Sequence, residues 1–207
     1  MPTHDNRSPW AMLQAGNARY VEGRSNAQVR RSPERRSELV GSQAPSAIVL
    51  GCADSRVPVE ILFDQGLGDL FVVRTAGHVV DSAVLGSIEY AVQILAVPSI
   101  VIVGHDGCGA VAAAIAMVDQ GMVPPGSIRE VAERIAPDVV RARLAGAGTF
   151  EETVEQHACH TAELLSERSA LIADAVRAGR LTVTPTRYSL SSGRVTEAVP
   201  LRQLLPV

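Results

Sequence analysis

Three residues of the chain have the types and the spacing to hold a transition metal. Cys52 follows the apolar run Ile48-Val49-Leu50-Gly51, and His105 and Cys108 follow the run Ile100-Val101-Ile102-Val103-Gly104. Two thiolates and an imidazole are a donor set that suits zinc in tetrahedral geometry. Three protein ligands leave a fourth position for water, the pattern of a catalytic zinc rather than a structural one. Both turns end predicted strands, and open α/β sheets build their sites beyond the carboxyl ends of strands. Cys108 also opens a predicted helix, where unpaired N–H groups and the helix dipole favour a thiolate. Taken singly, a cysteine is more often a small core residue, and H-x-x-C is a weak motif. The weight comes from pairing two strand ends with Asp54-Ser55-Arg56 directly after Cys52. A charged pair beside such a site needs a chemical reason. The pattern points to a zinc-dependent lyase or hydrolase.

The remaining chain reads as the scaffold for these two turns. Its 207 residues, 46% of them hydrophobic, are enough for a single domain spanning 1–207 with a substantial core. A net charge of −3 gives no electrostatic case for nucleic acid or an anionic membrane as partner. No apolar run approaches the roughly 20 residues that span a bilayer. The polar start, Met1 to Arg7, is not followed by a signal-type segment, so the cytoplasm is the expected compartment. Three widely spaced cysteines do not make a disulfide framework, and reduced thiols on a metal fit better.

Residues 1–9 are expected to be flexible, followed by a helical arm over 10–42. Within it, Trp10, Leu13, Tyr20 and Val21 predict an amphipathic helix over 10–23, and a short helix over 33–42 follows from Pro33. A lone helix of this kind docks on its own domain or on a neighbouring subunit. Arg30, Arg31, Arg35 and Arg36 read as a solvated face paired with Glu34 and Glu38. Apolar runs predict strands over 46–51, 70–73 and 99–103, and Ser191-Ser192-Gly193 joins two more over 181–189 and 194–199. Helices are predicted after Asp81, after Gly107, over 127–143 and over 150–178, with a helical turn over 57–63. The fold class is therefore α/β. Its mostly parallel central sheet has about four parallel strands and an antiparallel edge hairpin, and helices flank it.

Other chemistry-bearing residues carry weaker signals. His78 suits either a proton shuttle or a structural hydrogen bond, the second being favoured. His157-Ala158-Cys159-His160 looks like a metal cluster, but helical geometry turns Cys159 away from both histidines. An incidental surface cluster is the better reading. Asp106 caps the following helix or reaches pocket residues.

The motif set resembles the β-class carbonic anhydrases. The resemblance rests on C-x-D-x-R from Cys52 to Arg56 and on H-x-x-C from His105 to Cys108. It extends to Gly16-Asn17-Ala18-Arg19-Tyr20, to Phe71-Val72-Val73-Arg74-Thr75-Ala76-Gly77 with Thr75 for the usual Asn, and to Gly86-Ser87-Ile88-Glu89-Tyr90-Ala91. It covers most of residues 10–190. It implies one zinc ion per subunit on Cys52, His105 and Cys108, with Asp54 and Arg56 as a dyad at the open position. It implies a substrate pocket of Gln43, Phe71, Ala76 and Tyr90, Ala76 being smaller than the usual Val. The pocket would be completed across a homodimer interface, the N-terminal helix wrapping the partner, and two dimers could pair further.

The implied reaction is reversible hydration of carbon dioxide to bicarbonate and a proton. Two thiolates cancel the metal's formal charge, so its water is less acidified than in a three-histidine site. Asp54, kept ionised by Arg56, would accept from that water and orient it. The dyad also implies a closed form in which Asp54 becomes a fourth zinc ligand, favoured at lower pH. A bicarbonate-regulated subset carries Trp three residues before the first Cys, whereas Val49 stands here. Two alternatives stand beside this reading. One is a zinc hydrolase of a linear molecule such as carbon disulfide. The other is a non-catalytic zinc or thiol-sensing module, against which the intact dyad argues.

Overall fold

A computed structural model describes residues 8–26 and 29–201. The core is a five-stranded sheet in the order β2-β1-β3-β4-β5. Its strands are β1 (Ala47–Cys52), β2 (Leu70–Thr75), β3 (Ser99–His105), β4 (Thr182–Tyr188) and β5 (Val195–Glu197). The first four run parallel, and β5 pairs antiparallel with β4. The expected α/β sheet is therefore present, its last hairpin supplying the fourth parallel strand as well as the antiparallel edge.

β1 and β3 are buried along their whole length because both faces are covered. Ile48, Leu50, Ile100 and Ile102 pack with Val84 and Ile88 of α4 (Ser82–Gln93), Leu165 of α7 (Phe150–Arg168) and Ile172 of α8 (Ala170–Arg177). The alternate residues Val49, Val101 and Val103 pack with Leu13 of α1 (Pro9–Val21) and with Val59 and Leu62 of α3 (Val59–Leu62). A third apolar cluster joins α5 (Gly109–Gln120), α6 (Ile128–Leu144) and α7, and it closes around Cys52 and Cys108. Both metal-seeking turns therefore emerge from strands buried along their whole length.

Four expectations are corrected. Positions 1–7 lie outside the described residues, but Ser8 and Pro9 are structured: the Ser8 hydroxyl caps α1 by accepting from Ala11 N. The helix expected over 150–178 is two helices. Ser169 is extended (φ −129°, ψ 111°), and its hydroxyl accepts from Ile172 N and donates to Glu89. A serine that can cap the next turn competes with helix continuation. The short helix after Pro33, expected to reach 42, is α2 (Pro33–Glu38). The basic cluster is only in part the self-paired face expected: Arg35 does pair with Glu38, but Arg30 and Arg35 also reach Asp69, and Arg31 donates to the Gln65 carbonyl. These arginines strap the arm to the loop before β2.

α1 docks on its own chain. Leu13 is buried, and the Asn17 amide donates to the carbonyls of Leu62 and Gly193 and accepts from Val195 N. A Cβ on Gly16 would lie 1.8 Å from the Phe63 carbonyl oxygen, so only glycine permits this approach.

Candidate metal centre

β1 and β3 are neighbours, so the turns after them meet although their cysteines are 56 positions apart in the chain. Cys52, His105 and Cys108 are all buried, and one ligand atom from each lies within 4.8 Å of the others. The two sulfurs are 4.0 Å apart. His105 donates from Nδ1 to the Asp106 carbonyl at 2.9 Å. That bond fixes the tautomer and leaves the Nε2 lone pair pointing inward. Nε2 is buried and has no hydrogen-bond partner among the described residues. An orphaned imidazole nitrogen beside two thiols is costly unless something else is held there.

The electrostatics agree. A hydrogen bond from Cys108 pulls the Cys52 thiol down to about 4, while Cys108 itself is pushed up. Burial opposes a charge on His105, but the nearby Cys52 sulfur and the Asp106 carbonyl outweigh it and raise His105 above its ordinary value. Thiols and an imidazole give up their protons to a dication on binding, so affinity at such a trio rises with pH. The donor set and its geometry fit a metal.

Backbone amides complete the surroundings of Cys52. Its sulfur accepts from Asp54 N at 3.4 Å and from Gly77 N at 3.3 Å. Asp54 faces Arg56: Nε donates to Oδ1 at 3.0 Å, Nη2 to Oδ2 at 2.7 Å, and the Arg56 backbone N–H to Oδ1 at 2.9 Å. These bonds hold the Asp54 carboxyl well below the ordinary carboxylate range. Arg56 also donates to the Gly107 carbonyl at 3.3 Å, which ties the first turn to the second.

Of the expected pocket residues, Phe71 and Tyr90 meet with ring centroids 6.4 Å apart. Tyr90 is 48% exposed, and Gln43 and Ala76 are also exposed in the single chain. Asp106 does not cap a helix. It accepts from Arg187, which also grips Glu155. His78 makes no structural hydrogen bond: both ring nitrogens are buried and unpartnered among the described residues, and the ring stacks on His157 at 4.3 Å. Nor is His157-Ala158-Cys159-His160 a surface cluster. His157 is buried, its Nδ1 2.6 Å from Asp138 Oδ2 and its Nε2 2.8 Å from the Gly77 carbonyl. His160 pairs with the other oxygen of Asp138. Cys159 is buried apart from them, its thiol pushed up to about 11 by burial.

Two residues were given no role in the reading of the sequence. Arg74 donates to the carbonyls of Cys52 and Asp54 and so clamps the first turn. The signal was an arginine inside an otherwise apolar strand. Asp138 is a buried carboxylate on the face of α6 that also buries Ile135, Val139 and Ala142. A charge on a buried stripe is itself a signal.

The comparisons with known proteins agree with this geometry. The family model described as Carbonic anhydrase matches residues 47–195. The carbonic anhydrase of Mycolicibacterium smegmatis is 49% identical over 195 residues, covering 94% of this chain and 94% of the relative. Among solved structures, a Coccomyxa beta-carbonic anhydrase in complex with acetazolamide superposes with a TM-score of 0.69 at 26% identity, covering 91% of this chain and 81% of that one. A structure from a study of two tetrameric beta-carbonic anhydrases of Sordaria macrospora gives 0.69 at 24% identity, covering 92% and 97%. The family model spans the four parallel strands and both ligand turns, and a relative is about half identical along nearly all of its length. The chain therefore belongs to the β-class carbonic anhydrase family, and its activity is that of a carbonate dehydratase.

Proposed function

We propose that the metal is zinc, one ion per subunit, held by Cys52 Sγ, Cys108 Sγ and His105 Nε2. The supporting observation is the buried trio, with ligand atoms within 4.8 Å and the imidazole nitrogen otherwise unpartnered. Bound there, zinc would supply the Lewis acidity that makes water nucleophilic near neutral pH. Asp54 and Arg56 do the rest. Asp54 accepts a hydrogen bond from the attacking water and turns its lone pair toward the carbon of carbon dioxide. Arg56 occupies one side of the carboxylate and keeps it ionised, so Asp54 acts as an aimed acceptor. Two thiolates weaken the acidifying power of the centre, which makes a second, oriented acceptor useful.

Gln43, Phe71, Ala76 and Tyr90 line the substrate pocket in this reading. Carbon dioxide has no charge to grip, and largely apolar walls suit it. Exposure of Gln43, Ala76 and Tyr90 in one chain supports a pocket closed by a second copy. The open edge of β2 and the exposed Ile94 beside Tyr90 on the α4 side support a homodimer, and the tetrameric Sordaria enzymes support a dimer of dimers. The chain works as one domain over 1–207, and its unpaired cysteines suit the cytoplasm. Among the described residues no helix is long and apolar enough to cross a membrane.

Metal analysis with stopped-flow carbon dioxide hydration tests the reading. The expected result is about one zinc per chain, consistent with the three-ligand site. Turnover should be abolished by chelation, restored by zinc, and lost in Cys108→Ser. Full turnover in a zinc-free chain, or zinc bound with no turnover, overturns it.

A further inference from the structure

The segment Ala76-Gly77-His78 lies beside the metal centre in a conformation that it does not hold by itself. Gly77 has φ 60° and His78 φ 44°, two successive left-handed residues. Only glycine takes this form freely, and a Cβ on Gly77 would sit 2.7 Å from Ile135 Cδ1 and 2.8 Å from Ala110 Cβ. The segment presents the Gly77 N–H to Cys52 Sγ at 3.3 Å. On the other side of the same residue, the Gly77 carbonyl accepts from His157 Nε2 at 2.8 Å.

We propose that His157, braced by Asp138, is a positioning residue for the metal centre: it anchors the Gly77 carbonyl and thereby aims the Gly77 N–H at the Cys52 sulfur. A carbonyl only accepts, so His157 Nε2 carries a proton, and its Nδ1 faces the Asp138 carboxylate at 2.6 Å. His160 Nδ1 lies against the other Asp138 oxygen, and the His157 ring stacks on His78. The donor is therefore fixed on three sides. A buried polar pair of this kind gives little net stability compared with apolar residues of the same volume. Its worth here lies in direction. An N–H that bonds a thiolate draws electron density off the sulfur, which reduces the charge the ligand donates to its metal. In a centre with two thiolates, that restores part of the metal's acidifying power.

The inference rests on Cys52 being a metal ligand, and cobalt(II) substitution tests both points separately. A sulfur-to-cobalt charge-transfer band in the wild-type chain reports the thiolate ligand. Its absence overturns the thiolate centre itself, before any variant is read. Two variants remove the donor: His157→Leu, and the double variant Asp138→Leu/His157→Leu, which leaves no carboxylate buried alone. Either one, if folded and loaded, is expected to move the band to longer wavelength and to lower kcat about 10-fold with KM unchanged. His157→Gln keeps an N–H toward Gly77 and is expected to rescue both the band and the rate. A folded variant without the donor that keeps the wild-type band and kcat overturns the proposal. So does His157→Gln if it shifts as far as the variants that lack the donor.

Discussion

Asparagine in place of Asp54 keeps the size of the side chain but replaces one accepting oxygen with a donor. Arg56 then meets an amide, and the aimed acceptor for the attacking water is gone. Asp54→Asn is expected to lower kcat/KM by about 100-fold or more while zinc content stays at the wild-type level, read by stopped flow and metal analysis. His78 sets a different test. Burial holds this imidazole well below its ordinary value, and the neighbouring histidines add to the effect. The unfolded chain takes up a proton here below about pH 6.5, whereas the folded chain does not. Folding therefore loses stability as pH falls below that value, by up to about 1.4 kcal/mol per pH unit. His78→Asn, which suits a positive φ and carries no such proton, is expected to flatten the curve between about pH 6.5 and 5. Urea titration of the metal-free chains at several pH values checks it, and an identical slope in both chains refutes it. At this scale the metal trio was legible, because two thiols and an imidazole at the ends of buried strands suit a metal better than they suit a core. His157 was not. It is three positions after Val154 and four before Thr161, so it shares their buried face, but a histidine there shows its purpose only beside Asp138.

The helices and strands were legible wherever burial alone decides their pattern. β1 and β3 are unbroken apolar runs in the sequence and are covered on both faces in the fold. β2 has the same kind of composition, yet every one of its residues is only half-buried, because it pairs on one side alone. Which strand becomes an edge depends on the order of crossovers, and no local pattern records that order. The break at Ser169 was missed for a related reason: the apolar stripe continues through it, while a single hydroxyl decides the backbone. Ser169→Ala is expected to cost about 1–2 kcal/mol in urea unfolding, from loss of the cap and of the bond to Glu89. Equal stability of the two chains would show that the break is set by packing and not by the cap.

Among the described residues nothing covers the flank where β2 ends the sheet, and Tyr90 and Ile94 are exposed there at 48% and 65%. Exposed edges and large apolar side chains of this kind are sites for a second copy. Sedimentation velocity is expected to find a dimer or larger species. The double variant Tyr90→Glu/Ile94→Glu is expected to shift it toward monomer and to lose turnover while it keeps zinc. A monomeric variant with full turnover would show that one chain closes its own pocket. The sheet has a further consequence for metal exchange. β1 and β3 pair from Ile48 with Ile100 through Gly51 with Val103, just short of the ligands. The sheet therefore closes the long loop between Cys52 and Cys108 on its own account, and the loop-closure entropy is met by strand pairing. A metal arriving there fills an assembled cradle instead of gathering a loose chain. Loading and stripping are thus expected to be local events, with the paired strands as a frame that stays in place while the metal leaves and returns.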